Sequence, residues 1–301
     1  MAISLGTTSA SKLYLGSTEI TKAYLGSTQV FGGGAVNNAF ELTVETTAAN
    51  ESFLLPMQSV TSIDVDWGDG TVDTGITTDN PTHTYATAGT HSISVTGTAG
   101  TVVFNGSGSE GKLRTVTNLG ALGWTSFHNS FRDCSSMTSF DFGDCDTSNV
   151  TTMRDMFISC SNLTLLNLSN FNTSNVTAMA GMFGNCLSLT SLDVSNFNTS
   201  NVTDMRLMFF SCSSLTDIIG VESFNIEALN STNRLSLFMS GVTLPTSRYD
   251  ALLVNWEAQN HIDGLSPNFG NSKYTAGSAA ATARAALEND HTWSITDGGS
   301  V

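Results

Sequence analysis

Residues 160–185 read CSNLTLLNLSNFNTSNVTAMAGMFGN and residues 186–211 read CLSLTSLDVSNFNTSNVTDMRLMFFS, two units of 26 residues that align without a gap. The pattern extends outward in both directions, because Cys134, Cys160, Cys186 and Cys212 stand 26 apart. Met137, Leu163, Leu189 and Leu215 keep the same register, as do Phe140, Leu166, Leu192 and Ile218, and the pairs Met156-Phe157, Met182-Phe183 and Met208-Phe209. A period of about 20–50 residues marks stacked supersecondary units, since one unit cannot bury its own Leu, Met and Phe.

Within each unit, Leu163-x-x-Leu166-x-Leu168 and Leu189-x-x-Leu192-x-Val194 have the spacing of a leucine-rich-repeat strand. Val176-x-x-Met179-x-x-Met182-Phe183 is then the return side, a helical turn or irregular arc. Whole units resemble the BspA-type leucine-rich repeat, close to a subclass first noticed in mycoplasma surface proteins, over residues 127–241. That resemblance implies a solenoid and a surface-exposed binding or adhesion role. The last unit departs from the pattern: Phe209 to Phe238 spans 29 residues, and Gly241 stands where the next Cys is expected, as in a terminal capping coil.

Upstream, residues 35–100 alternate apolar and polar with a period of two, as in Phe40, Leu42 and Val44 or Ile63, Val65 and Trp67. Val65-Asp66-Trp67-Gly68-Asp69-Gly70-Thr71, Pro81-Thr82-His83-Thr84-Tyr85 and Gly89-Thr90-His91 resemble the PKD-type immunoglobulin-like domain, which implies a small β-sandwich used as spacer or adhesion module. Residues 101–126 are read as a connector and cap. After Pro245, Tyr249, Leu252, Leu253 and Trp256 form one helical stripe that Ser247 is expected to cap, and a second helix is expected over 276–288. Residues 242–301 thus make a small α/β C-terminal cap. The expected fold class is mainly β and multi-domain: a short N-terminal β-repeat segment, an Ig-like (PKD) sandwich, and a leucine-rich-repeat solenoid with that cap.

Residues 1–34 contain three decamers, with Leu5, Leu15 and Leu25 in register and Gly6, Gly16 and Gly26 beside them, ending at Gly32-Gly33-Gly34. Tyr-Leu, Gly-Ser-Thr, then Glu-Ile or Gln-Val reads as strand, turn and strand. Pieces this short need a neighbour, which favours oligomerisation or docking. The decamers resemble short repeats at the N-termini of bacteriophage tail-fibre and related virion proteins, which implies attachment to other virion proteins and a homo-oligomer, a trimer by family analogy. Eleven Lys and Arg against 26 Asp and Glu give a net charge of −15. Phosphate is repelled by such a chain, so no nucleic-acid partner is expected, and with no run of about 18 apolar residues no membrane insertion is expected. The start of the chain has no signal-peptide pattern, and the protein is expected to be made in the host cytoplasm and to reside in the virion.

Several constellations carry two readings. The ladder Cys134, Cys160, Cys186, Cys212 is read as core packing by reduced thiols rather than a metal or redox site, because structural zinc favours close pairs such as C-x-x-C. Asn149, Asn175 and Asn201, each in N-V-T, are formal glycosylation acceptors or a ladder of amides on turn backbone. Asp64, Asp66, Asp69 and Asp73 are read as turn chemistry rather than a calcium loop. Thr138, Thr164 and Thr190, with Asp141, Asn167 and Asp193, fall on outward strand positions and form either a hydrogen-bonding strip or a solvated face. No catalytic constellation and no cofactor site is read, so a non-enzymatic protein is expected. The preferred function is a tail-fibre or other receptor-binding adhesin directed at a host-surface glycan or protein. The alternatives are a capsid or tail decoration protein and a bacterial cell-surface adhesin.

Overall fold

A computed structural model of the chain describes residues 38–143 and 145–301, together with the backbone of four short strands before them: β1 (Leu13–Leu15), β2 (Thr18–Ile20), β3 (Ala23–Leu25) and β4 (Thr28–Phe31). β1 pairs antiparallel with β2 and β3 with β4, two hairpins cut from the decamer pattern. The glycine run 32–34 lies outside the described residues.

Alternation then builds β5 (Phe40–Thr46), β6 (Glu51–Leu54), β7 (Met57–Asp66), β8 (Val72–Ile76), β9 (Thr82–Tyr85), β10 (Gly89–Val102) and β11 (Leu113–Asn118). Phe40, Leu42 and Val44 of β5 point into the core with Ile63, Val65, Ile93 and Val95, while the intervening Glu41, Thr43 and Glu45 face outward. β6 and β9 form a separate two-stranded sheet that contributes the buried Phe53 and Tyr85. The Trp67 indole donates to Asp73 at 2.8 Å and the Tyr85 hydroxyl donates to the Trp67 carbonyl at 2.9 Å, so both large rings are buried with their polar ends satisfied.

The strands of the repeats are β12 (Ser139–Asp141), β13 (Leu165–Asn167), β14 (Ser191–Asp193) and β15 (Asp217–Ile219). They correct the expected fold class. An Ig-like sandwich followed by a closed leucine-rich-repeat solenoid would keep two separate sheets. Instead β12 and β13 continue the first sheet, in the order β13-β12-β11-β5-β10-β7-β8, parallel at β11-β12-β13 and antiparallel elsewhere. β14 and β15 pair only with each other. The result is one mixed sheet crossing the expected boundary. The cause is β11: its antiparallel side pairs with β5, which leaves a parallel-compatible edge that Ser139 and Phe140 complete.

Successive repeats are joined on the return side. Phe127, Asn129, Phe131 and Asp133 donate their amides to Thr152, Arg154, Met156 and Ile158 at 2.9–3.0 Å, and the same four-bond pattern recurs from Met153, Met179 and Met205 onward. Two backbone positions per unit adopt the left-handed region to make this possible: Asn129, Asp155, Gly181, Leu207 and Leu237 at one, Asp133, Ser159, Asn185, Ser211 and Gly241 at the other. Asn, Asp and Gly accept that conformation readily, whereas Leu207 and Leu237 adopt it at a cost in strain. Between these turns the rings of Phe131, Phe157, Phe183 and Phe209 stack with centroids 5.6–6.0 Å apart and planes within 13° of parallel.

The same ladder corrects the register of the last unit. Leu237 and Gly241 repeat the left-handed positions of Leu207 and Ser211, so Val242, buried and bonded to the Met239 carbonyl, is the counterpart of Cys212. Gly241 matches Ser211, and the repeat there is 30 residues rather than 29. The ladder continues into the cap, from Met239 to Asn268 and from Phe269 to Thr296. There α1 (Thr246–Glu257) buries Tyr249, Leu252, Leu253 and Trp256 as expected, but its N-cap is Pro245, so Ser247 lies inside the helix instead of capping it. In α2 (Ala279–Asn289) Ser278 is the cap, accepting from the amides of Ala280 and Ala281. Arg248 of α1 holds both carboxylate oxygens of Asp217 in β15 and reaches Glu222 at 2.7 Å, tying the cap to the last repeat.

Gly181 gives the sharpest test of this geometry. Its φ is +65°, and a Cβ built there would stand 2.1 Å from the Asp155 carboxylate. Gly181→Ala is expected to lower stability by about 1–3 kcal/mol, read as a loss in melting temperature, with Asp155→Ala restoring part of it.

Candidate binding face

The short strands fix which repeat side chains face out. Phe140, Leu192 and Ile218 are buried and Leu166 packs beneath the face, whereas Ser139, Leu165 and Ser191 with Asp141, Asn167 and Asp193 lie on the other side. The structure brings Asp141 and Asn167 together, with the Asn167 amide donating to Asp141 at 3.1 Å, while Asp193 lines a hollow of about 230 Å³ with Asn167 although β13 and β14 do not pair. Each of the three also closes its own turn, accepting from the amide two residues on: Gly143, Ser169 and Ser195 at 2.8, 3.1 and 2.9 Å. The Ser195 hydroxyl and amide hold the Asp193 carboxyl below its usual range.

The threonines flank the strands. The Thr164 hydroxyl donates to the Thr138 carbonyl at 3.1 Å and Thr138 to the Arg114 carbonyl, while Thr190 offers its carbonyl to Thr216. These three hydroxyl rungs join neighbouring units. Leu165 is the outlier of the face, an exposed leucine at 66% among polar neighbours. It borders a cleft of about 580 Å³ walled by Val116, Phe140 and Leu166, with Thr117, Asp141 and Asn167 at its rim. The exposed leucine carries the local signal that sequence reasoning missed: Leu165 falls where the aligned units have Ser139 and Ser191.

The thiols lie on the far side of the core. Cys160, Cys186 and Cys212 donate to the carbonyls of Phe131, Phe157 and Phe183 at 3.0, 3.2 and 2.9 Å. Burial pushes the thiols of Cys134, Cys160 and Cys186 well above their usual range and those of Cys145 and Cys212 up to about 12. Thiolate chemistry is thereby suppressed. Asn175 and Asn201 donate to the carbonyls of Ser148 and Ser174 at 2.7 Å, and Asn149 is the exposed first member of that column.

A second ladder, not singled out by sequence, is the buried series Thr147, Thr173 and Thr199. Each hydroxyl donates to the carbonyl of Asn172, Asn198 or Asn225 at 3.0 Å and accepts the amide of that same residue at 2.7–2.9 Å. The repeated Thr-Ser-Asn of residues 147–149, 173–175 and 199–201 was its available signal.

In the sandwich, the four carboxylates diverge. Asp64 accepts the Gly75 amide, Asp66 the Gly68 amide, Asp69 the Thr71 amide, and Asp73 the Trp67 indole. Among the described residues no three His, Cys, Asp or Glu groups converge as a metal site. The Asp69 carboxylate meets His83 Nε2 at 2.8 Å, and this bond, with that from Thr71, lowers its pKa to about 2. His83 itself lies flat on Trp67, centroids 5.0 Å apart. His91 stacks on Tyr85 and meets the Thr46 hydroxyl at 3.0 Å, and burial lowers its pKa.

Two outcomes follow from these partners. Thr173→Val, which strands the Asn198 amide and carbonyl, is expected to cost about 1–3 kcal/mol in chemical denaturation, whereas Thr177→Val on the exposed column costs about 1 kcal/mol or less. A carboxyl depressed in the folded state adds stability above its unfolded pKa that is lost as pH falls through its folded one. Melting temperature is therefore expected to fall between pH 4 and pH 2. Asp69→Asn is expected to be less stable than the parent at pH 7 and to show a shallower fall across that window.

Residues 125–244 match a family model described as a Mycoplasma protein of unknown function, DUF285. No curated protein matches the chain. No solved structure matches it. Among the described residues no helix is long and apolar enough to cross a membrane.

Proposed function

We propose that the chain is a non-enzymatic bacteriophage virion protein, a tail-fibre or other receptor-binding adhesin that turns its strand face toward a host-surface glycan or protein. The observation that carries this reading is Leu165, which stands exposed beside an open cleft in a row of otherwise polar side chains. Beside an open cleft and a rim of hydrogen-bonding groups, this apolar side chain offers contact area of the kind a ligand site uses. The decamers of residues 1–34, outside the described side chains, are assigned to attachment on the particle and to assembly of a homo-oligomer, on their likeness to virion proteins. The strands upstream of the repeats act as the base on which the repeats are built.

Adsorption of the labelled full-length protein to a panel of bacterial cells tests this reading. Saturable binding is expected on a susceptible host, with Leu165→Ala weakening it roughly tenfold. Absence of binding to every host whose infection requires the particle would overturn the adhesin assignment and favour a decorating role.

A further inference from the structure

The shared sheet sets two rows of outward side chains across five strands. One row runs Ser92 of β10, Thr43 of β5, Thr115 of β11, Ser139 of β12 and Leu165 of β13, each facing its neighbour in the strand register. The hydroxyls of Thr43 and Thr115 lie 2.6 Å apart, which fixes both on the same face. Beside it Ser94 faces Glu41 on one side and Asp66 of β7 on the other, and Asp141 faces Asn167, while Thr117, at a register irregularity of β11, lies between these pairs. The cleft at Leu165 and a second hollow of about 290 Å³ bounded by Glu41, Thr43, Ser92 and Ser94 share Thr117 as their common wall. Two neighbouring depressions, on opposite sides of the expected domain boundary, thus meet at Thr117.

Its chemistry narrows what fits. Ser92, Ser94, Thr117 and Ser139 make no side-chain hydrogen bond among the described residues, so their hydroxyls point outward with their full capacity. Asp66 and Asp141 place carboxylates on the track, and Arg114, a cation at its margin, is held by Glu45 at 2.7 Å. Anionic chains are repelled, while a neutral chain rich in hydroxyls finds acceptors, donors and one apolar platform. Strands repeat at about 4.8 Å, so the five-strand row spans about 19 Å, a length that suits an extended chain rather than a single small ligand.

We infer that this composite track binds an extended, neutral polysaccharide lying across the strands from Leu165 to Ser92 and Ser94, so that strands β5 and β10 supply part of the binding surface. The inference rests on the receptor-binding reading above and adds the ligand's class and the site's extent.

The test uses full-length protein on cells that it binds, with surface polysaccharide separated by anion exchange into an unretained neutral fraction and a retained charged fraction as competitors. The neutral fraction is expected to compete, and periodate treatment of that fraction to abolish competition. Ser94→Arg, Thr117→Arg and Leu165→Arg are each expected to weaken binding tenfold or more, with Ser213→Arg, off the track, unchanged and all four melting like the parent. Competition by the charged fraction alone, tighter binding by Thr117→Arg, or loss of binding after protease treatment of the cells overturns the ligand class. Unaltered binding by Ser94→Arg and Thr117→Arg alongside loss in Leu165→Arg overturns the composite track while leaving the adhesin reading standing. Failure of the parent protein to bind any cell removes that reading and this inference together.

Discussion

The return-side ladder of backbone hydrogen bonds is the constraint on which the rest of the molecule depends. Four amides per unit donate to the next unit, and each set is reached only because two residues per unit turn into the left-handed region. A buried amide left without a partner costs about as much as a lost hydrogen bond, so the ladder fixes the spacing of units before side chains are considered. The Phe stack, the Cys-to-carbonyl contacts and the buried Thr column all inherit that spacing. Where the last unit lengthens, the ladder holds and the surplus residues are absorbed between its fixed points, which is why Val242 rather than Gly241 takes the place of a cysteine.

On the strand side the same units are bound more loosely. Three-residue strands pair as β11-β12-β13 and as β14-β15, with no pairing between β13 and β14. The outward carboxylates and amides of Asp141, Asn167 and Asp193 spend one oxygen each on local turns, so the face is held open and ordered at once. Polar atoms fixed in this way lose less freedom on meeting a ligand than mobile surface chains do.

The junction of sandwich and repeats is built rather than linked. Leu122, Trp124 and Phe127 continue the sandwich core into Phe131 and Phe142 without interruption, and Phe40 meets Trp124 edge-on at 5.8 Å. The amide of Ala99 donates to Leu122 and that of Phe104 to Ser130, so the long strand β10 serves as the first surface against which the repeats stack. A terminal repeat needs a closing surface to keep its apolar residues from water, and here the sandwich supplies one and the two helices the other.

By itself the sequence determined the period and the buried apolar residues, because apolar periodicity reports burial directly, but not the polar columns: Thr138, Thr164 and Thr190 flank the strands instead of facing out from them, and Thr147, Thr173 and Thr199 are buried. It also marked Tyr249, Leu252, Leu253 and Trp256 as one helical stripe, and the alternating strands β5, β7 and β10. Tertiary structure alone decided that β11 would pair with both β5 and β12, since edge pairing depends on which edges meet and leaves no periodic trace. It likewise decided the cap at Pro245 instead of Ser247, the one-residue shift at Val242, and the joining of Thr117 with Ser92, Ser94 and Leu165 on one face. Those residues are far apart in the chain, and only the shared sheet makes them neighbours.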